Sequence, residues 1–261
     1  MRAVASLAFF LARSLLRQRA TLIFLLLSLA MIGLSLSLGE LNIAVPFRLF
    51  ENVMLASQAY LLVIASVVYL FETLSKERLG GFFVLPLSTP LSRDGYLLAL
   101  IGGIAIAIGL LLGLYLVADG LLLWLIEGEK ANYWILVQLF NHALAALLVT
   151  IVGLTTSQWV SSMNAIIYTL LFYMIGQGAD ELWLFSQQEK DEMLHIVAWV
   201  VYYLLPNFSR FDHLSLILSQ DGCNLRELLV YPILYAMAWG WALYLVASWK
   251  FRKRSLLVGR L

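Results

Sequence analysis

Six runs of apolar residues without a charge divide the chain: Thr21–Gly39, Leu55–Phe71, Leu97–Ala118, Trp134–Thr155, Ala165–Gly178 and Leu229–Trp249. A helix rises 1.5 Å per residue, so about 20 apolar residues, range about 17–25, cover the hydrocarbon layer of a bilayer. The fifth run reaches that length when Val160–Asn164 is counted with it. The pattern predicts an all-α integral membrane protein with six transmembrane helices in one domain spanning 1–261. Ahead of the first run, residues 1–18 have a different period. At about 100° per residue, Val4, Leu7, Ala8, Leu11 and Leu15 share one face, and Arg2, Ser6, Arg13 and Arg17 the opposite one. A short helix with arginines on its polar face lies in the membrane interface instead of crossing it.

The stretch 179–228, between the fifth and sixth runs, is mixed. It opens with Asp180, Glu181, Glu189, Asp191 and Glu192, turns apolar over Met193–Leu205, and stops at Pro206. The apolar part is shorter than a span. Extending it through Phe208–Leu218 would bury Arg210, Asp212 and His213, at high cost. Short re-entrant or interfacial helices are therefore expected, with Trp183, Trp199, Tyr202 and Tyr203 as interface residues.

Composition agrees with a bilayer protein. Of 261 residues, 62% are hydrophobic and 13% charged, with a mean hydropathy of +0.88, whereas a soluble domain has about 25% charged residues. A net charge of +1 leaves no global basic surface for nucleic acid. One cysteine, Cys223, excludes an intrachain disulfide and a cysteine-based metal cluster. Arg13, Arg17 and Arg19 stand where a cleavable signal would need small residues. Six spans with the N-terminus inside put Arg2, Arg13, Arg17, Arg19, Lys76, Arg78, Arg93, Lys250, Arg252, Lys253, Arg254 and Arg260 on the inner face. Arg48, Lys130, Lys190, Arg210 and Arg226 fall outside. The positive-inside rule then makes both termini cytoplasmic.

The polar break Glu72–Tyr96 holds a cluster of charge in the first half of the chain. Glu72, Lys76, Glu77 and Arg78 form a charged lead, Gly80-Gly81 a flexible break, and Phe82-Phe83-Val84-Leu85 an apolar knob before Pro86. Pro90 suits a first helical turn, with Thr89 as its cap. Four apolar side chains just outside a membrane point either to a partner or to phenylalanines dipping among lipid headgroups. The order of Glu72, Glu77, Arg78, Gly80/Gly81, Leu85, Ser88, Pro90, Ser92, Arg93 and Tyr96 resembles the first cytoplasmic loop of ABC-2 type permeases, the membrane subunits of ATP-binding-cassette exporters. Phe82-Phe83 and Pro86 depart from that family's pattern. The resemblance implies a cytoplasmic coupling helix, with Glu72, Glu77, Arg78, Phe82, Phe83, Leu85 and Arg93 contacting a separate ABC ATPase subunit. It also implies an N-terminal elbow helix, re-entrant helices between spans five and six, and a second copy or a paralogous permease as partner. ATP and Mg would bind the ATPase subunit and no cofactor this chain. The setting implied is the bacterial cytoplasmic (inner) membrane. The stretch YYLLPNFSRFD is similar to the branch with permeases of copper-enzyme maturation exporters.

Motifs for chemistry are absent: the sequence has no phosphate-binding Gly-Lys-Ser/Thr loop, no HExxH and no Gly-x-Ser-x-Gly. His142, His195 and His213 are widely separated. Asp119, at the end of the third run, reads either as a substrate or ion contact or as a carboxylate marking the membrane edge. Asn141-His142, two turns into span four, is expected to hydrogen-bond a neighbouring helix. Asp119, His142, Trp199, Tyr202 and Tyr203 are the candidates for a pathway or gate. Gly109 and Gly113 have the spacing of a close helix contact, within the chain or at a dimer seam. Two other classes remain open: a membrane-embedded enzyme using Asp119, Glu127, Glu129 and His195, and an assembly factor without transport.

Overall fold

The computed structural model describes residues 2–41, 46–80, 92–127, 134–189, 191–213, 217 and 224–253, with side chains described outside 38–41, 46–49, 76–80 and 126–127. These residues form helices, and no strand occurs among them. In chain order they are α1 (Arg2–Leu16), α2 (Arg19–Leu41), α3 (Pro46–Gly80), α4 (Arg93–Glu127) and α5 (Trp134–Thr156). Then come α6 (Ser162–Gln177), α7 (Ala179–Gln188), α8 (Glu192–Leu204), a 3-10 turn (Phe208–Phe211), a π turn (Arg226–Val230) and α9 (Tyr231–Lys253).

Among the described residues five segments are long and apolar enough to cross a membrane: Arg19–Ser37, Phe50–Ser75, Arg93–Leu125, Trp134–Thr156 and Arg226–Lys253. The fifth apolar run does not reach that length. Its helix α6 starts after Ser161, whose Oγ accepts from Asn164 N at 3.4 Å, and ends at Gly178. Val160 and Ser161 stay outside it, leaving 16 residues, about 24 Å of helix against about 30 Å of hydrocarbon.

α5 is the hub, packing on α3, α4, α6, α9 and the 3-10 turn. It can do so because its buried face mixes Ala143, Ala145, Ala146 and Gly153 with larger side chains, which brings neighbouring backbones close. In a bilayer, van der Waals packing of this kind holds helices together, since lipid tails are as apolar as leucine. α2 packs chiefly on α3, and both α2 and α9 turn leucines, methionine and tryptophans outward, among them Leu22, Leu26, Leu29, Met237, Trp241 and Trp249. That outer belt is the surface a hydrocarbon solvent requires.

Two boundaries differ from the sequence pattern. The charged lead Glu72–Arg78 continues α3, which runs as helix to Gly80, and is not part of a loop. α4 is capped by Ser92, whose Oγ accepts from Gly95 N at 3.1 Å, and Arg93–Tyr96 form its first turn. The Thr89-Pro90 helix start lies outside the described residues. α4 also runs past Asp119 to Glu127, because Gln58 gives that carboxylate a partner inside the bundle.

Candidate functional site

The antiparallel helices give the bundle two ends of different chemistry. The near end gathers α1, the start of α2, the Tyr69–Glu72 part of α3, the start of α4 and the end of α9. Apart from Arg2, the described basic side chains divide into Arg13, Arg17, Arg19, Arg93, Lys250, Arg252 and Lys253 here, and Arg210 and Arg226 at the far end. Of the described acids only Glu72 and Asp94 lie near.

At the near end α1 lies along α4. A Cβ on Gly103 would come 2.8 Å from Leu11 Cβ and 3.1 Å from the Ala8 carbonyl, so only glycine allows this approach. Ala8, Ala12 and Leu15 form the buried face of α1, while Phe9 and Phe10 point outward. Gly109 and Gly113, by contrast, have no neighbour among the described residues within 4 Å of an added Cβ. The turn into α2 is tied by Thr21, whose hydroxyl donates to Leu15 O at 2.8 Å and lies 3.0 Å from Tyr69 Oη on α3.

The start of α4 is then fastened to the end of α9. Asp94 Oδ1 accepts from Ser248 Oγ at 2.7 Å and from Arg252 Nε at 2.9 Å, and Arg252 Nη2 donates to Asp94 Oδ2. Arg93 Nη1 donates to the Arg252 carbonyl at 2.8 Å, and Tyr96 stacks on Phe251 with centroids 6.2 Å apart. Of the residues expected to meet an ATPase, Arg93 and Glu72 are therefore described at this end. Phe82, Phe83 and Leu85 lie outside the described residues, as do the side chains of Glu77 and Arg78.

The far end is built from amides, carbonyls and aromatic rings. Gln138 Nε2 donates to the Phe211 carbonyl at 3.0 Å and Asp212 Oδ1 at 3.2 Å, and its Oε1 accepts from His213 N at 3.1 Å. His142 Nε2 is 3.1 Å from Gln138 Nε2, one turn away. Asn141 Nδ2 donates to the Leu228 carbonyl at 2.8 Å, inside the π turn, where the widened helix redirects a carbonyl sideways. The expected helix-to-helix bond of the Asn141-His142 pair is thus present. Burial pushes the His213 imidazole below the usual histidine range, so the group is neutral near pH 7. A cleft of about 70 Å³ opens beside this cluster, between Tyr60, Val63, His142, Tyr173, Phe208 and Asp212. It has room for a few waters or a slender polar group.

The α7–α8 hairpin sits beside it. Asp180 accepts from Asn207 Nδ2 at 2.6 Å and from Ser209 Oγ at 2.5 Å, which pins the 3-10 turn to α7. Trp183 stacks on Tyr202 at 5.4 Å, Tyr202 meets Tyr203 edge-on at 4.9 Å, and Trp199 lies 5.5 Å from Tyr203. The Arg210 guanidinium lies over the rings of Tyr202 and Tyr235, 5.6 and 5.4 Å from their centroids. α8 itself, capped by Asp191 at Met193 N, buries only Ala198 and presents Met193, Ile196, Val197 and Leu204 outward.

The five pathway candidates thus divide among three places. Trp199, Tyr202 and Tyr203 share one aromatic cluster, and His142 lines the cleft. Asp119 is neither at a helix end nor at a surface: its side chain is fully buried between α3 and α4. His195 lies against Trp183 with ring centroids 5.2 Å apart, so the structure does not unite it with Asp119. Among the described residues no group of three or more His, Cys, Asp or Glu could hold a metal ion. Gln58, Gln138 and Asp94 were not singled out by the sequence. Gln58 and Gln138 stood out only as uncharged polar residues inside apolar runs, and the Asp94–Arg252 contact joins residues 158 apart. No protein-family model matches the chain, and no curated protein matches it.

Proposed function

We propose that the chain is the permease subunit of an ABC-2 type exporter, in which a separate ATPase subunit docks on the near end and ATP hydrolysis drives substrate outward. The observation that carries this reading is a convergence. The stretch 72–96, whose residues resemble the coupling loop of that family, leaves α3 and enters α4 at the same end where the amphipathic α1 is seated on Gly103. An elbow helix packed beside a coupling segment is the arrangement such a permease needs, because force applied to the loop then reaches α1, α3 and α4 together.

In this reading the near end is cytoplasmic, in keeping with its basic side chains, and the protein sits in a bacterial cytoplasmic membrane with both termini inside. α6, with its 16 residues, serves as the short remaining span. The α7–α8 hairpin is the re-entrant outer segment, and the chain works with a second copy or a paralogous permease.

Co-purification tests the reading. The tagged ATPase is recovered with wild type, Phe82→Ala, Phe83→Ala and the double variant at matched membrane levels. Truncating an aromatic anchor at an interface centre costs about 2–4 kcal/mol, which weakens binding roughly 30- to 1,000-fold. Loss of ATPase from the double variant is the expected result. Undiminished recovery with normal ATP-driven activity would remove the coupling assignment.

A further inference from the structure

The contact between α3 and α4, the two helices joined by the coupling segment, contains a buried pair whose chemistry is incomplete as a carboxylate. Gln58 Nε2 donates to Asp119 Oδ1 at 2.8 Å, and neither side chain has any exposed surface. The other half of each group, Gln58 Oε1 and Asp119 Oδ2, is buried without a partner. Both are acceptors, so no rotation of the amide satisfies the two together. Among the described residues no lysine, arginine or histidine pairs with Asp119. The titratable group beside it is Tyr115, one turn earlier on α4, which supplies no positive charge. An ionised carboxylate in a dry helix contact, with one neutral hydrogen bond and no cation, is the costly state of this group.

We propose that Gln58 and Asp119 form a buried proton-binding site: Asp119 is a carboxylic acid at neutral pH, its Oδ2–H donating to Gln58 Oε1 while Gln58 Nε2 donates to Oδ1. One proton fills both orphaned acceptors and closes a two-point acid–amide pair. The charge is removed at the same stroke. The pair lies well away from the coupling segment, 14 residues from Glu72 along α3, or about 21 Å of helix. Any motion that slides α3 along α4 or admits water between them breaks the pair and lets the proton leave, so proton occupancy reports the state of this helix contact. The proposal stands on the helix contact alone and is independent of what drives the segment between the helices.

Infrared spectroscopy of the purified protein in lipid nanodiscs at pH 7, with the aspartate side-chain carboxyl carbon isotopically labelled, tests it. The label restricts the signal to the six aspartates 94, 119, 180, 191, 212 and 221. The expected result is one isotope-shifted carboxylic-acid C=O band in wild type, lost in Asp119→Asn and moved to higher wavenumber in Gln58→Leu, where the acid loses its hydrogen-bond partners. Should Asp119→Asn not fold, the Gln58→Leu shift alone makes the assignment. Only carboxylate bands in wild type at pH 7 would overturn the proposal, as would an acid band that persists in Asp119→Asn or ignores Gln58→Leu. A hydrated, ionised Asp119 gives the first of those outcomes.

Discussion

Each end of the bundle has a bond set that joins α9 or its lead-in turn to another helix, and the two sets are opposite in kind. At the near end a bidentate arginine–aspartate pair ties α4 to α9, and the Arg252 side chain is 65% exposed. At the far end a neutral amide, Asn141, ties α5 to the π turn from a site with no exposed surface. Water decides their worth. It screens the ion pair and competes for each of its donors, whereas nothing competes for the buried amide and nothing replaces its bond once lost. The weaker-looking contact is therefore the one that holds the helices.

Three substitutions sharpen this contrast. The largest effect is expected where no polar bond is involved. Gly103→Val drives a methyl group into Leu11 and the Ala8 carbonyl, an overpacking that costs about 1–3 kcal/mol. α1 should leave its seat, read as faster proteolysis after Arg13 or Arg17 while the remaining helices stay protected. An unchanged cleavage rate would mean that α1 is not seated on Gly103. Next comes Asn141→Leu, which strands the Leu228 carbonyl. Interhelical hydrogen bonds in membranes are worth about 0.6 kcal/mol on average and about 1.7 at most. The thermal midpoint should fall, and salt should not alter the difference. The smallest effect belongs to Asp94→Asn, whose partner is exposed. Its loss should be slight, below that of Asn141→Leu, and should vanish in high salt. A larger, salt-independent loss at Asp94 would invert the comparison.

Much of the fold was legible in the pattern of apolar runs, because a bilayer enforces helix and hydrophobicity together. Three of the six runs lie within longer helices, α2, α3 and α4, a fourth, Leu229–Trp249, runs from the π turn into α9, and a fifth coincides with α5 to within a residue. The pattern misjudged ends. It placed Asp119 at a border because a carboxylate usually marks one, but Gln58, 61 residues away, shelters it inside the bundle. It began a loop at Glu72, although nothing from Glu72 to Leu79 breaks a helix and charged residues prolong α3 into water. It counted Val160 and Ser161 into a span, whereas Ser161 is the cap that starts α6. Pairings such as Asp94 with Arg252 or Asn141 with Leu228 were not legible at all, since they depend on which helices become neighbours. The apolar hairpin helix over Met193–Leu205 was legible, because Asp191 gives it a cap and Pro206 follows its end.

In the proposed orientation the two ends face opposite sides of a membrane, with the near end in the cytoplasm. Single cysteines placed by Glu77→Cys and Gln188→Cys in a Cys223→Ser background test it directly, with a membrane-impermeant maleimide applied to intact cells. Position 188 should label at once, and position 77 only after the cells are permeabilised. Labelling of position 77 in intact cells, or protection of position 188, would contradict the account.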